Sequence, residues 1–119
     1  MTTHVKIENE IAQVARQNGA LKAIVFGSYA RGTSTCHSDL DVLIIENTSQ
    51  PFLERIGRYF DALTDRLGPA VEVLVYTPSE IEQIKHRPFI QRALTEGIVV
   101  YESGKISPRG SPLATAGQS

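Results

Sequence analysis

Apolar residues recur along the chain at two different spacings, which predict helices and strands. Helical spacing runs through residues 5–17, 51–67 and 88–96. Short apolar runs, typical of strands, lie at residues 21–26, 39–45, 70–76 and 98–102. The predicted order is helix, strand, loop, strand, helix, strand, helices, strand. This order favours an α+β (mixed α/β) domain in which helices flank a short mixed sheet of about four strands.

Capping and helix-breaking residues mark the ends of the later helices. The segment from Thr77 to Glu80 has capping-box spacing, with proline at the first helical position, so a short helix begins there. Pro88 interrupts that helix and opens another one. Gly97 ends the second of them. These positions separate the strand at 70–76 from the strand at 98–102.

The length and composition predict one domain with a tail. A chain of 119 residues suits a single compact domain, which we place at residues 1–102. From residue 103 onward glycine, serine and proline replace large apolar residues, so residues 103–119 are predicted to be a disordered C-terminal tail. No internal repeat is visible in the sequence.

Charge and cysteine content restrict the class of protein. The formal net charge is −1, without the basic excess of a dedicated nucleic-acid binder, so direct nucleic-acid binding is not expected. The single cysteine, Cys36, excludes an internal disulfide and a cysteine-based structural zinc site. No apolar run approaches the ~20 residues that span a bilayer. The N-terminus lacks the apolar segment of a signal peptide. We therefore expect a cytoplasmic protein without membrane contact.

A glycine turn follows the first predicted strand. Strand, glycine and helical turn together form a general anion-binding arrangement, in which Gly27 allows close approach and Ser28 and Arg31 add donors. The P-loop is excluded because Thr33 takes the position of its lysine. The GxGxxG fingerprint is excluded because Tyr29 takes the place of the second glycine. The segment is either a phosphate-binding turn of another kind or a plain turn.

Two aspartates open the second predicted strand. Asp39 and Asp41 are two residues apart, so their side chains project from the same face at a backbone separation of roughly 6.6 Å. Carboxylates this close repel each other unless a cation neutralises them. Ligands that are all oxygen favour Mg²⁺ or Mn²⁺. The alternative is a polar turn followed by an aspartate on an exposed edge.

A glutamate interrupts the third predicted strand. Glu72 lies between valines, and the other residues on its face, Leu74 and Tyr76, are apolar. A carboxylate in such a strand is usually paired, hydrogen-bonded or bound to metal. If the third strand pairs with the second, Glu72 meets Asp39 and Asp41, and the three acids suit two-metal phosphoryl chemistry. The alternative is a glutamate on an edge strand that faces water.

The combined motifs resemble those of a known superfamily. The segments 27-GSYARG-32, 38-SDLDVLI-44 and 71-VEV-73 are similar to the nucleotidyltransferase superfamily of DNA polymerase beta, and in particular to minimal nucleotidyltransferases. The match runs from about residue 21 to residue 76. This resemblance implies the nucleotidyltransferase fold and a reaction in which a hydroxyl attacks the α-phosphate of a nucleoside triphosphate and pyrophosphate leaves.

The resemblance also implies roles for six residues. Three carboxylates would bind two Mg²⁺ ions, with Mn²⁺ as the alternative, and would form the catalytic centre: Asp39, Asp41 and Glu72. Three residues of the glycine turn would bind the triphosphate of the nucleotide: Gly27, Ser28 and Arg31. Glu72 would complete the metal site on the acceptor side and help to deprotonate the attacking hydroxyl. The superfamily often has aspartate at this third position, so the glutamate departs from the usual pattern.

The acceptor is predicted to lie on another chain, because larger superfamily members bind it with a second domain that this chain lacks. Minimal nucleotidyltransferases resemble the antitoxins of pairs whose toxin is a helical HEPN ribonuclease, and some transfer AMP from ATP to a toxin tyrosine. Three alternatives stay open: a small-molecule (aminoglycoside-like) nucleotidyltransferase built by a homo-oligomer, a non-catalytic toxin-neutralising module, and polymerisation on nucleic acid. Apolar residues such as Phe89 would mark a partner surface if they are exposed.

Several side chains are given structural interpretations. Cys36 and His37 are predicted to be solvated residues of the loop between the turn and the acids. Tyr29 is predicted to pack beneath the glycine turn. Tyr59 and Phe60 belong to the apolar stripe of the helix at 51–67 and are predicted to lie in the core.

Overall fold

A computed structural model describes residues 3–32 and 39–103, with side chains from Lys6 onward. Its elements follow the predicted order, with ends within two residues of the predicted ones. They are α1 Thr3–Asn18, β1 Lys22–Phe26, α2 Ser28–Arg31, β2 Leu40–Ile45, α3 Phe52–Leu67, β3 Val71–Tyr76, α4 Pro78–Ile84, α5 Pro88–Glu96 and β4 Ile98–Glu102. The α+β class is confirmed. The predicted tail lies outside the described residues, apart from Ser103.

The four strands form one mixed sheet in the order β3-β2-β1-β4. β1 is antiparallel to both β2 and β4, whereas β2 and β3 are parallel. A parallel pair needs a crossover connection, and α3 provides it. The mixed sheet of four strands is therefore confirmed, and β3 and β4 are its two edges.

The main core lies on one face of the sheet. Helices α1 and α3 cover that face and contribute Ile11, Val14, Tyr59 and Leu63, all essentially inaccessible to solvent. These side chains pack on alternate residues of the inner strands, namely Ala23, Val25, Val42 and Ile44, and on Val71, Val73 and Val75 of β3. Leu43 points to the other face and is equally buried, so β2 is covered on both sides toward its end.

The opposite face is covered less completely. A smaller cluster there joins Ile24, Phe26 and Leu43 of the sheet to Ala93 of α5. Leu94, Leu74 and Tyr76 pack against this cluster but are only partly buried. Asp39 and Glu72 are exposed at the end of the sheet where β1 finishes and β2 and β3 begin. This uncovered end carries the residues predicted to be functional.

Helix α3 departs from the predicted stripe at one position. Tyr59 and Leu63 are buried as expected, but Phe60 remains 40% exposed, so its prediction as a core residue is wrong. Phe60 lies beside Val71 and Val73 of β3. Because β3 is the last strand on that side, the sheet does not extend far enough to cover the ring.

Two buried ionic groups attach α3 to its surroundings. Arg55, only 6% exposed, donates to the carbonyl of Gln50 at 2.7 Å, to that of Val75 at 3.3 Å, and to both carboxylate oxygens of Glu80. Glu80 also accepts from the backbone N–H of Thr77 at 2.8 Å, while its own N–H donates to the Thr77 hydroxyl. The predicted capping box of α4 is therefore confirmed, and Arg55 joins it to α3.

The second group is centred on Glu46, which is 5% exposed and follows β2. Its carboxylate accepts from the Arg58 guanidinium at 2.7 Å and from the Tyr59 hydroxyl. Both partners come from α3, so the acid fixes that helix to the end of β2. Within the part of the chain that the structure describes, no helix combines the length and hydrophobicity that crossing a membrane requires.

Candidate active site

The three predicted carboxylates come together at the open end of the sheet. The parallel register of β2 and β3 pairs Asp41 with Glu72, and Asp39 precedes the first residue of β2. Phe26 of β1 pairs with Asp41 on the other side. Cross-strand partners project from the same face, so Phe26, Asp41 and Glu72 form a row across three strands. Glu72 does lie on an edge strand facing water, as the alternative required, but it also meets the aspartates.

The acids interact electrostatically. Burial is the largest cause that raises the pKa of Asp41, followed by the charge of Asp39, whereas Arg31 acts in the opposite direction. The charge of Asp39 is the largest cause that raises the pKa of Glu72, followed by burial, a hydrogen bond with Asp39 and the charge of Asp41. The charge of Asp39 therefore disfavours ionisation of both Asp41 and Glu72, a repulsion that a bound cation would relieve.

The carboxylates fit a magnesium site by their chemistry and their register. All three offer oxygen ligands, which Mg²⁺ and Mn²⁺ prefer, and their mutual repulsion favours a divalent cation. With the side chains as they stand, no group of three or more His, Cys, Asp or Glu residues in segments 3–32 and 39–103 is arranged to hold a metal ion. Metal ligation by Asp39, Asp41 and Glu72 stays a prediction.

The glycine turn packs directly against this row. Gly27 has φ 73° and ψ −147°, a backbone conformation that other residues rarely adopt, and α2 begins immediately after it. A Cβ atom at Gly27 would collide with the Oδ2 atom of Asp41 and would lie 3.3 Å from its Cγ atom. The absence of a side chain at Gly27 therefore makes room for the Asp41 carboxylate. The expected helical turn in the loop is confirmed as α2, whereas phosphate binding by Gly27, Ser28 and Arg31 stays a prediction.

Tyr29 anchors the turn to the rest of the domain. Its ring is buried in the main core, which confirms the predicted packing beneath the turn. Its hydroxyl donates to the Oε2 atom of Glu8 in α1 at 2.9 Å. Burial and this hydrogen bond both raise the pKa of Tyr29. The contact connects α2, which carries Ser28 and Arg31, to the first helix.

An apolar groove of about 340 Å³ adjoins the carboxylates. Asp41 and Glu72 line one part of it, and the rest is lined by aromatic and aliphatic side chains that include Phe26, Phe60, Leu74 and Phe89. Sequence reasoning missed the groove, because it placed Phe60 in the core. Phe89 is 54% exposed, so it meets the condition that the sequence analysis set for a residue of a partner surface.

Of the three histidines, only His86 has a side chain that the structure describes. Cys36 and His37 lie outside the described residues, and so does the side chain of His4. His86 is exposed in the turn between α4 and α5, on no element that carries the acids. The described part of the candidate site thus consists of the glycine turn, the three carboxylates and the groove.

Comparison with known proteins defines the class to which this fold and site belong. The family model of the nucleotidyltransferase domain matches residues 8–101, which span most of α1 through β4. The chain belongs to this family and is a nucleotidyltransferase. The predicted resemblance to nucleotidyltransferases is confirmed.

One curated relative and three solved structures are similar to this chain. A protein of Methanocaldococcus jannaschii, provisionally assigned as a protein adenylyltransferase, is 31% identical over 71 residues, which are 60% of this chain and 75% of that protein. A crystal structure of a toxin–antitoxin with AMP-PNP matches with a TM-score of 0.61 at 20% identity, covering 82% of this chain and 74% of the other. A structure of the tri-AMPylated Shewanella oneidensis HEPN toxin in complex with an MNT antitoxin matches with a TM-score of 0.56 at 17% identity, covering 87% and 74%. A provisionally assigned nucleotidyltransferase of Sulfolobus solfataricus matches with a TM-score of 0.55 at 15% identity, covering 95% and 91%. At these identities the structural matches show a shared fold.

Proposed function

We propose that this nucleotidyltransferase transfers AMP from ATP, in a Mg²⁺-dependent reaction, to a tyrosine hydroxyl of a HEPN-type toxin, and that it acts as the antitoxin of that partner. The observation that carries the proposal is the row of carboxylates directly beside the glycine turn, with Asp41 paired to Glu72 and in contact range of Gly27. A site for negative phosphates and a site for cations are thus adjacent, as nucleotidyl transfer requires.

We assign the following roles to the residues of the site. Gly27, Ser28 and Arg31 bind the β- and γ-phosphates, with Arg31 neutralising part of their charge. Asp39, Asp41 and Glu72 would hold Mg²⁺, which when bound neutralises charge at the attacking and leaving oxygens. The acceptor oxygen forms a bond to the α-phosphorus, and the bond from that phosphorus to the bridging oxygen of pyrophosphate breaks. Glu72 accepts the proton of the acceptor hydroxyl.

Two relatives support the adenylyl group and the protein acceptor. The Methanocaldococcus jannaschii relative carries the assignment of a protein adenylyltransferase. The Shewanella oneidensis complex pairs an AMPylated HEPN toxin with an MNT antitoxin. Both point to AMP as the group transferred and to a protein as its acceptor. An acceptor on another protein also agrees with the open end of the sheet, where Glu72 is accessible from solvent.

The decisive experiment is a labelling reaction with two forms of ATP. The chain is incubated with Mg²⁺, with the protein encoded by the neighbouring gene, and with ATP labelled at the α- or the γ-phosphate. Label from the α-phosphate should appear on a tyrosine of the partner, and label from the γ-phosphate should not. The variant Asp41→Asn should reduce the transfer to a small residual rate. The control Asp65→Asn, which changes an exposed aspartate of α3, should leave the transfer unchanged.

Other outcomes would contradict the proposal. Transfer of the γ-label would indicate phosphoryl rather than nucleotidyl transfer. Tight binding of the partner without any labelling would favour a non-catalytic neutralising module. Unchanged transfer by Asp41→Asn would refute the catalytic assignment of the carboxylates.

A further inference from the structure

We infer that the apolar groove beside Glu72 binds the acceptor, and that it selects a hydroxyl carried by an aromatic side chain within an apolar polypeptide segment, with Phe89 as a specificity-determining residue. The inference rests on the proposed function for the position of the reacting hydroxyl. It assigns acceptor recognition to residues outside the glycine turn and the carboxylates.

The groove is continuous with the reactive carboxylates. Asp41 and Glu72 form part of its wall, so a group bound in the groove contacts both acids. Phe26, which pairs with Asp41 in the sheet, lies at the same end. The Phe89 ring of α5 packs edge-to-face on Phe26, with ring centroids 5.3 Å apart and planes at 81°. The aromatic wall therefore begins beside the carboxylates.

The in-line geometry of the transfer places the acceptor at this groove. In phosphoryl and nucleotidyl transfer the attacking and leaving oxygens lie roughly in line through the phosphorus atom. The glycine turn, which holds the leaving pyrophosphate, follows β1. Glu72 lies on β3, two strands away on the other side of Asp41. The acceptor oxygen must therefore approach from the β3 side, where the groove opens.

The lining of the groove defines the chemistry of its occupant. Phe89 and Phe60 are 54% and 40% exposed, although soluble domains usually bury phenylalanine. Leu74 adds an aliphatic side chain to the lining. Apolar walls with a few polar groups at one end favour an apolar ligand that carries one polar group. A polyhydroxylated or polycationic small molecule would leave most of its polar groups unpaired along the apolar walls, whereas an aromatic ring with a single hydroxyl matches both the walls and the acidic end.

The extent of the groove indicates a polypeptide rather than a free amino acid. It passes over β3, the last strand of the sheet, and reaches Ile56 and Phe60 of α3. Its volume of about 340 Å³ lies near the lower end of the range for sites that hold drug-sized ligands. A tyrosine near Phe89 with apolar flanking residues toward Phe60 would occupy both ends.

The test uses two blocked pentapeptides with a central tyrosine, one with leucines and the other with serines on both sides of it. Binding is measured by NMR on the full chain with Mg²⁺ and AMP-PNP, and transfer is measured with α-labelled ATP. We expect the leucine-flanked peptide to bind at least tenfold more tightly. Phe89→Ser should raise the KM of this peptide about tenfold, with kcat and the Kd of ATP nearly unchanged.

Two further variants separate recognition from general effects. Leu53→Ser removes an apolar side chain of α3 that is 78% exposed and outside the groove, so it should leave the peptide KM unchanged. Phe60→Ser changes the far end of the groove and leaves the contact between Phe26 and Phe89 intact. It should also weaken the binding of the leucine-flanked peptide. This second variant tests the inference even if Phe89→Ser unfolds the domain.

The outcomes distinguish the inference from the proposed function. Equal binding of both peptides, or equal effects of Phe89→Ser and Leu53→Ser, would overturn the groove as acceptor site while leaving nucleotidyl transfer intact. Groove-dependent binding of the peptide would support the recognition site, and absence of labelling on the partner protein in the same preparation would then refute the proposed reaction alone. Absence of peptide binding, with the partner protein still labelled, would overturn the groove as acceptor site alone.

Discussion

Replacing Gly27 by alanine tests the link between the glycine turn and the carboxylates. The backbone of Gly27, at φ 73° and ψ −147°, is close to a region populated essentially by glycine alone, so a side chain there costs about 1–3 kcal/mol of folding free energy. The new Cβ atom would also collide with Oδ2 of Asp41. If the carboxylate moves by about 1 Å, the rate of transfer should fall about 100-fold, which corresponds to about 2.7 kcal/mol of transition-state stabilisation.

Gly32→Ala is the matched control. Gly32 also has a positive φ, of 76°, but no atom of the described residues, apart from its chain neighbours, lies within 4 Å of the position of its Cβ. The control should therefore lose about 1 kcal/mol of stability from the left-handed backbone and less than threefold in transfer. Urea denaturation measures the first quantity, and α-labelled ATP measures the second.

A double-mutant cycle isolates the contact between Gly27 and Asp41. In the Asp41→Asn background the carboxylate has already lost its function, so adding Gly27→Ala should reduce the residual transfer no further. Equal losses of transfer for Gly27→Ala and Gly32→Ala would refute the reasoning, because only the first side chain meets Asp41. Additive effects of the two substitutions in the cycle would refute it as well.

Three other substitutions test how individual side chains affect the stability of the domain. Tyr29→Phe removes the hydrogen bond that joins α2 to α1; it should cost about 1 kcal/mol in urea denaturation and raise the Kd of ATP, measured by calorimetry, roughly threefold. Glu46→Gln should cost about 2 kcal/mol of unfolding free energy, because it removes the charge from hydrogen bonds that the buried Glu46 accepts from the partly exposed Arg58 and from Tyr59. The exposed Glu54→Gln should cost less than about 1 kcal/mol. Asp41→Asn, measured in EDTA at neutral pH, should melt at a higher temperature than the wild type.

The local parts of the fold and site follow from the sequence. Strand and helix periods place β2 and β3, and the burial of β2 on both faces follows from its continuous apolar run. Glu72 stands out because a carboxylate interrupts an apolar face, and its meeting with Asp41 needs only that β2 and β3 be neighbours. Each of these inferences depends on residues close together in sequence, or on one pairing between neighbouring elements.

Features that depend on several distant elements could not be predicted in this way. The groove requires α5 to bring Phe89 onto Phe26 and requires the sheet to end at β3, which leaves Phe60 uncovered. The stripe in α3 identifies an apolar face but not the width of the sheet beneath it. A charged residue of an amphipathic helix, such as Arg55, is expected at the surface. Arg55 is instead buried by contacts with residues up to 25 positions away in sequence.

One face of the sheet is packed by helices and stabilises the domain, whereas the open end carries the functional carboxylates. The predicted gain in stability of Asp41→Asn follows from the pKa of Asp41. A folded-state pKa of Asp41 raised above its usual 3.8 means that the ionised carboxylate is less favourable in the folded chain than in the unfolded one. The penalty is complete at neutral pH, decreases as the pH falls through the raised pKa, and vanishes below 3.8, where both states are protonated. The advantage of Asp41→Asn should therefore disappear in acid. Packing of α1 and α3 on the opposite face offsets this penalty, so that repelling carboxylates can be kept at the open end of the sheet, ready for a cation. If the advantage of Asp41→Asn grew as the pH fell, repulsion and burial of the Asp41 charge would be excluded as its cause.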